Sequence, residues 1–133
     1  MKEKILEEYQ CINYVCVGEG ETFIKEFVAN YGKSTLLGIN NLIYRKGGKI
    51  HSNPIGPPED LAMLPKFPWN SFPYVVIPAQ YKLLYVTASR GCPFNCTYCC
   101  NGVYLRLYKG GYVRRRPIKH ILDELIELKA KYK

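Results

Sequence analysis

Several things are scarce in this chain, and each shortage narrows what it can be. No apolar run among the 133 residues approaches the ~18–20 needed to span a bilayer. The opening Met1-Lys2-Glu3-Lys4, followed by Ile5 and Leu6, lacks the apolar core of a secretion signal, so the expected setting is the reducing cytoplasm. Internal repeats are absent, and 15.3 kDa leaves no room for two independent domains. At 47% hydrophobic and 23% charged residues, the composition excludes wholesale disorder.

Negative charge is the most unevenly distributed shortage. Residues 1–66 hold eight Lys/Arg and eight Asp/Glu, whereas residues 67–133 hold eleven against three, which accounts for the whole net charge of +8. From Lys82 to Lys119 there are eight basic side chains and no acidic one, and four of the six cysteines lie in that stretch. A basic field favours thiolates and attracts anions. Cysteines of a reducing compartment point to metal or redox chemistry before disulfides.

Ile12–Val17 reads as a short buried strand stopped by Gly18 and Gly20, and Glu21–Tyr31 as a helix with Phe23, Ile24, Phe27, Val28 and Tyr31 at helical spacing. Leu42–Arg45 and Lys49–Ser52 read as a hairpin around Lys46-Gly47-Gly48. Seven of the nine prolines fall between Asn53 and Pro78, which predicts an extended linker pinned by Leu61, Leu64, Phe67 and Trp69. Leu83–Ala88 has almost no polar face, as in a buried parallel strand. A cysteine-rich loop is expected from Ser89 to about Arg116. A final helix then runs from about Pro117 to Tyr132, with Ile118, Ile121, Leu122, Leu125 and Leu128 as its apolar stripe. Strand, loop and helix make a βα unit whose loop leaves the C-terminal end of the strand, where α/β folds place their chemistry.

The loop reads Ser89-Arg90-Gly91-Cys92-Pro93-Phe94-Asn95-Cys96-Thr97-Tyr98-Cys99-Cys100. Cys92, Cys96 and Cys99 are spaced C-x3-C-x2-C, and thiolates are soft ligands suited to iron–sulfur clusters or zinc. Three ligands on a cluster of four irons leave one iron open to a substrate. A zinc ribbon needs a second pair at similar spacing; Cys11-x4-Cys16 is a poor one and sits in or beside a buried-looking strand. Cys100, next to Cys99, is badly placed to share its metal. Gly32-Lys33-Ser34-Thr35 resembles the tail of a phosphate loop, but the earlier glycine position is Phe27 and the helix precedes the lysine. Gly18-Glu19-Gly20 is no dinucleotide fingerprint, since the third glycine position is Phe23.

The cysteine spacing, with Tyr98 just before the third cysteine and Arg90-Gly91 leading in, resembles the radical S-adenosylmethionine enzymes. The resemblance implies that Cys92, Cys96 and Cys99 ligate a 4Fe-4S cluster and that Tyr98 lies beside the adenine of S-adenosylmethionine. It also implies an activity: the cofactor is reductively cleaved to a 5′-deoxyadenosyl radical for methylation or other radical chemistry on an unknown substrate. Val17-Gly18-Glu19-Gly20-Glu21 and its helix, the hairpin, Asp60-Leu61…Leu64-Pro65 and Arg114-x-Arg116 are similar to the subfamily that carries a cobalamin-binding domain.

An α/β layout follows from that resemblance. Residues 1–38 are the end of a Rossmann-like cobalamin-type domain, residues 39–82 a hairpin and proline-rich linker, and residues 83–133 the first βα unit of a TIM-type barrel. A complete barrel takes ~200–250 residues, and only 51 follow Lys82. The chain therefore reads as the middle of a longer enzyme. Cobalamin, and a reductant such as a ferredoxin or flavodoxin, belong to that parent; no Asp-x-His-x-x-Gly occurs here, and His51 and His120 stand in other contexts. The competing reading is a non-catalytic zinc or cluster module that presents Arg114-Arg115-Arg116 to RNA or another acidic partner.

Overall fold

The computed structural model describes residues 3–69 and 86–131. Within them the chain is mixed α/β, with small antiparallel sheets and four α-helices. The order is α1 (Lys4–Glu8), β1 (Tyr14–Cys16), α2 (Glu21–Asn30), a 3-10 helix (Ser34–Gly38), β2 (Leu42–Lys46), β3 (Lys49–Ser52), β4 (Ser89–Arg90), α3 (Cys100–Leu107), β5 (Arg114–Arg115) and α4 (Ile118–Lys131).

β1, β2 and β3 form one sheet in that order, both pairings antiparallel, with Val15 opposite Ile43 and Tyr44 opposite His51. The expected strand over Ile12–Val17 is present but shorter. It lies at the sheet edge and is only partly covered, because β2 shields it on one side alone. β2 is the central strand, and its Leu42 and Ile43 are fully buried. The hairpin forms as read. Gly47 and Gly48 both take positive φ (57° and 74°), the backbone that a two-residue turn needs to match strand twist. α1 was not anticipated; its Leu6 is buried and its carbonyl accepts a hydrogen bond from Arg45 of β2.

α2 forms where the periodicity places it. Phe23 and Phe27 pack on Leu36, Ile39 and Leu42, and Phe27 meets Tyr14 edge-on at 5.2 Å. Ile24, Val28 and Tyr31 face outward. Gly20, at the helix N-cap, has no side chain to accept the first amides. Glu59 of the linker does so instead, accepting from Thr22 N–H and Thr22 Oγ1–H at 2.7 Å each. Lys33 and Thr35 close the other end, Nζ donating to Ala29 O and the hydroxyl to Asn30 Oδ1, so this segment is a helix end rather than a phosphate loop.

The linker is non-repetitive from Asn53 through Pro68, as its prolines require, with Leu61 buried and Phe67 edge-on to Trp69 at 4.8 Å. Of the strand expected over Leu83–Ala88, the first three residues lie outside the described part and 86–88 is not strand. The nearest strand, β4, pairs antiparallel with β5: Ser89 opposite Arg115 and Arg90 opposite Arg114. The parallel pairing anticipated from the apolar run is thus absent among the described residues. The long loop is also corrected, because α3 occupies Cys100–Leu107 inside it.

α4 begins where Pro117 offers its carbonyl to the amides of His120 and Ile121. Its apolar stripe is mostly uncovered: Leu128 is buried, whereas Ile118, Leu122 and Leu125 are exposed. Its other buried residue is Glu124, which the apolar pattern had not marked. Glu124 accepts from the Trp69 indole N–H at 2.8 Å, and its second oxygen lies 2.7 Å from Arg116 in ion-pair contact. Trp69 is therefore a strap between linker and helix.

Candidate cysteine centre

β4 delivers the chain to the cysteine loop and β5 backs it. Gly91, between Arg90 and Cys92, takes φ +91°, and a Cβ there would sit 2.5 Å from the Tyr112 carbonyl oxygen. Backbone cannot give way at that distance, so glycine is required for the loop to leave β4 against β5. Cys92 is half-buried. Cys96 and Cys99 share a turn closed by the Cys99 N–H donating to Cys96 O at 3.2 Å, and Cys99 is the N-cap of α3. Asn95 Oδ1 accepts from Arg106 of α3 at 3.1 Å, tying the loop to that helix.

All three thiols are free, as are Cys11, Cys16 and Cys100. Hydrogen bonds from Asn101, backbone and then side chain, hold the Cys99 thiol below its ordinary value, and Cys100 adds to the effect. Burial pushes the Cys16 thiol up, helped by the charges of Glu21 and Glu59, which suits a small apolar residue of β1 better than a ligand. Tyr98 is 91% exposed, and Phe94 on the same loop is exposed as well. Among the described residues no three His, Cys, Asp or Glu side chains stand together as a group able to hold a metal ion. The fold thus brings Cys96 and Cys99 into one turn and does not gather Cys92 with them. In kind the donor set fits a soft metal centre, three free thiols on one short loop; ligation of one centre needs the sulfurs drawn closer than they stand.

The site has a polar foundation that sequence reasoning missed. In sequence Glu19 stands out only as the acidic residue between Gly18 and Gly20. Its side chain is 7% exposed, and it sits where β4, β5, α3 and the linker meet. Arg114 grips it bidentately, Nη2 to Oε1 at 2.6 Å and Nη1 to Oε2 at 2.8 Å. Arg90 donates to Oε1 at 3.2 Å and, with its other nitrogen, to Glu21 at 2.5 Å. The Glu59 amide donates to Oε2 at 2.7 Å, and the Glu19 amide donates to Tyr108 Oη at 2.8 Å. Burial would raise the Glu19 carboxyl, but the hydrogen bonds from Arg114, the Glu59 amide and Arg90, with the Arg114 charge, outweigh it and hold the group below the usual carboxylate range. The partial signal was a glutamate between two glycines; that two arginines some 70 and 95 residues later would reach it was not legible.

Tyr104, Tyr108 and Tyr112 stack nearly parallel beside this cluster, with Tyr112 4.9 Å from Tyr104 and 5.4 Å from Tyr108, and Arg114 lies over the Tyr112 ring. Burial pushes the Tyr108 and Tyr112 hydroxyls up. Arg114 and Arg116 are thus engaged inward, with Glu19 and Glu124, and Arg115 is the exposed member of the run. Among the described residues no helix is long and apolar enough to cross a membrane.

No family model matches the chain, and neither does any solved structure. Curated relatives do. An uncharacterized methyltransferase of Pyrococcus horikoshii is 30% identical over 142 residues, covering 98% of this chain and 28% of that protein. Anaerobic magnesium-protoporphyrin IX monomethyl ester cyclases of Rubrivivax gelatinosus and Cereibacter sphaeroides are 27% and 26% identical, over 94% and 96% of this chain. The chain spans 21–28% of the length of these relatives. It is a distant homologue, along nearly all its length, of enzymes named for methyl transfer and for ring formation.

Proposed function

We propose that this chain is the cluster-binding portion of a radical S-adenosylmethionine enzyme of the cobalamin-type subfamily, with Cys92, Cys96 and Cys99 as ligands of a 4Fe-4S cluster. The observation that carries the reading is the C-x3-C-x2-C spacing on one loop that leaves β4 and runs into α3. The relatives add support from their names, since methyl transfer and ring formation are both within reach of radical chemistry. When bound, the cluster supplies an electron and an open iron position for the cleavage of S-adenosylmethionine.

The chain's own residues bind and orient. Arg90 and Gly91 aim the first cysteine, Asn101 stabilises the Cys99 thiolate by hydrogen bonding, and Tyr98 offers an exposed ring for the adenine. In the full-length enzyme, residues 1–38 close a cobalamin-type Rossmann-like domain, residues 39–82 link it onward, and residues 83–133 open a TIM-type barrel. Substrate, cobalamin and a ferredoxin- or flavodoxin-type reductant belong to that larger protein, in the cytoplasm. The alternative, a zinc or cluster module for RNA, draws no support from the basic run, two of whose arginines are turned inward.

Anaerobic reconstitution tests the reading. Iron, acid-labile sulfide and zinc are measured per chain, beside Cys96→Ser and Cys100→Ser. About four irons and four sulfides, lost in Cys96→Ser and kept in Cys100→Ser, are expected. Zinc without sulfide overturns the reading.

A further inference from the structure

Glu19 joins the N-terminal sheet unit to each element that frames the cysteine loop. Arg90, its partner on β4, is separated from Cys92 by Gly91 alone. Arg114, its bidentate partner, lies on β5 directly opposite Arg90. Tyr108, which accepts from the Glu19 amide, is the C-cap of α3, the helix whose N-cap is Cys99. The carboxylate is nearly enclosed, so these bonds are shielded from water and their geometry is narrowly set. It is itself placed by Gly18, which admits the Tyr108 ring, and by the Val17 amide, which donates to Asn41 O beside the central strand.

We propose that Glu19 is a positioning residue for the cysteine loop: by holding Arg90 and Arg114 side by side it sets the path of the chain through Gly91 to Cys92, so the N-terminal unit determines how the first thiol is presented to the other two. The importance of that presentation for a cluster rests on the proposed function; the positioning itself is a property of the chain. Arg90 is the lever, because it divides its two nitrogens between Glu19 and Glu21 and cannot swing without breaking both. Glu59 serves as the contrast. It touches Glu19 and Arg114 through its backbone, whereas its carboxylate accepts from Thr22 in the first turn of α2.

The test compares the full chain with Glu19→Gln, Arg90→Gln and Glu59→Gln. In the reduced, metal-free proteins the rate of iodoacetamide labelling is read at each cysteine by peptide mass spectrometry. In parallel, iron and sulfide are measured after reconstitution, and far-UV circular dichroism checks the fold. Cys92, half-buried in the parent, is expected to label on the order of tenfold faster in Glu19→Gln and Arg90→Gln, the effect of losing one charged hydrogen bond. Exposed Cys11 should be unchanged, Glu59→Gln should behave as the parent, and iron and sulfide should fall with Cys92 protection. If Glu19→Gln fails to fold, Arg90→Gln, which keeps the Glu19–Arg114 pair, carries the same expectation. Unchanged Cys92 labelling in the folded variants overturns the proposal whatever the loading. A parent chain that takes up no cluster overturns the proposed function instead, and the Cys92 rates still decide the positioning.

Discussion

The two glycines flanking Glu19 look interchangeable in sequence and are not so in the structure. Gly18 takes φ +98°, and a Cβ there would lie 2.3 Å from Tyr108 Oη and 3.2 Å from Cζ. Tyr108 is buried and stacked on Tyr104 and Tyr112, so its ring has little freedom to retreat. Gly20, at φ −109°, has nothing within 4 Å of the same added atom. Gly18→Ala therefore carries the backbone cost of the left-handed region, about 1–3 kcal/mol, and the overpacking cost of displacing Tyr108, about 1–3 kcal/mol. We expect about 3 kcal/mol in all, against less than about 1 kcal/mol for Gly20→Ala, whose effect is confined to the helix cap. Urea unfolding followed by circular dichroism should show the Gly18→Ala midpoint falling by about 1.5 M, taking a slope of ~2 kcal/mol per molar. A Tyr108→Phe background removes the closest atom, so Gly18→Ala should cost about 1–2 kcal/mol less there, a coupling of the size seen between touching residues. Equal midpoints for Gly18→Ala and Gly20→Ala, or strict additivity with Tyr108→Phe, would refute the packing argument.

Three further outcomes are expected. Glu124→Gln should shift the emission of Trp69, the sole tryptophan, to the red and lower stability by about 2–3 kcal/mol, because Arg116 then faces a neutral partner in a buried site. The depressed Glu19 carboxyl contributes stability that is fully present above the unfolded glutamate value, about 4.3, and is lost as pH falls through its lower folded value; unfolding midpoints should hold at neutral pH and drop below about pH 4, with a shallower acid slope in Glu19→Gln. Ala in place of Gly91 should abolish the β4–β5 register without disturbing β1–β3, which amide exchange at Arg90 and Arg116 against Val15 and Arg45 would report.

Local features were legible where neighbours in sequence are neighbours in space. α2, the hairpin with its Gly47-Gly48 turn, the proline-bound linker and α4 all follow from periodicity, turn chemistry and the missing amides of proline. The C-x3-C-x2-C spacing is likewise readable directly, since its three cysteines are neighbours along one short loop. α3 was missed because Cys100–Leu107 begins among cysteines and turn formers, and its helix is supported from outside: Arg106 bonds the loop and Tyr108 bonds Glu19. On the final helix only part of the apolar stripe is covered: Leu128 is buried with Glu124, whereas Ile118, Leu122 and Leu125 face outward, because periodicity marks a stripe without saying what covers it.

By itself, then, the sequence determined the chemistry on offer, three thiols and an aromatic on one loop in a basic half, and the short-range elements that carry them. The tertiary structure alone decided the charge pairing: Arg90 and Arg114 onto Glu19, and Arg116 onto Glu124. Those partners lie 71, 95 and eight positions apart, and only folding brings the longer pairs together. A run of positive charge in sequence states how many charges there are. Which of them face water depends on whether a buried carboxylate waits beneath, and a carboxylate is buried only where the fold has already assembled its donors.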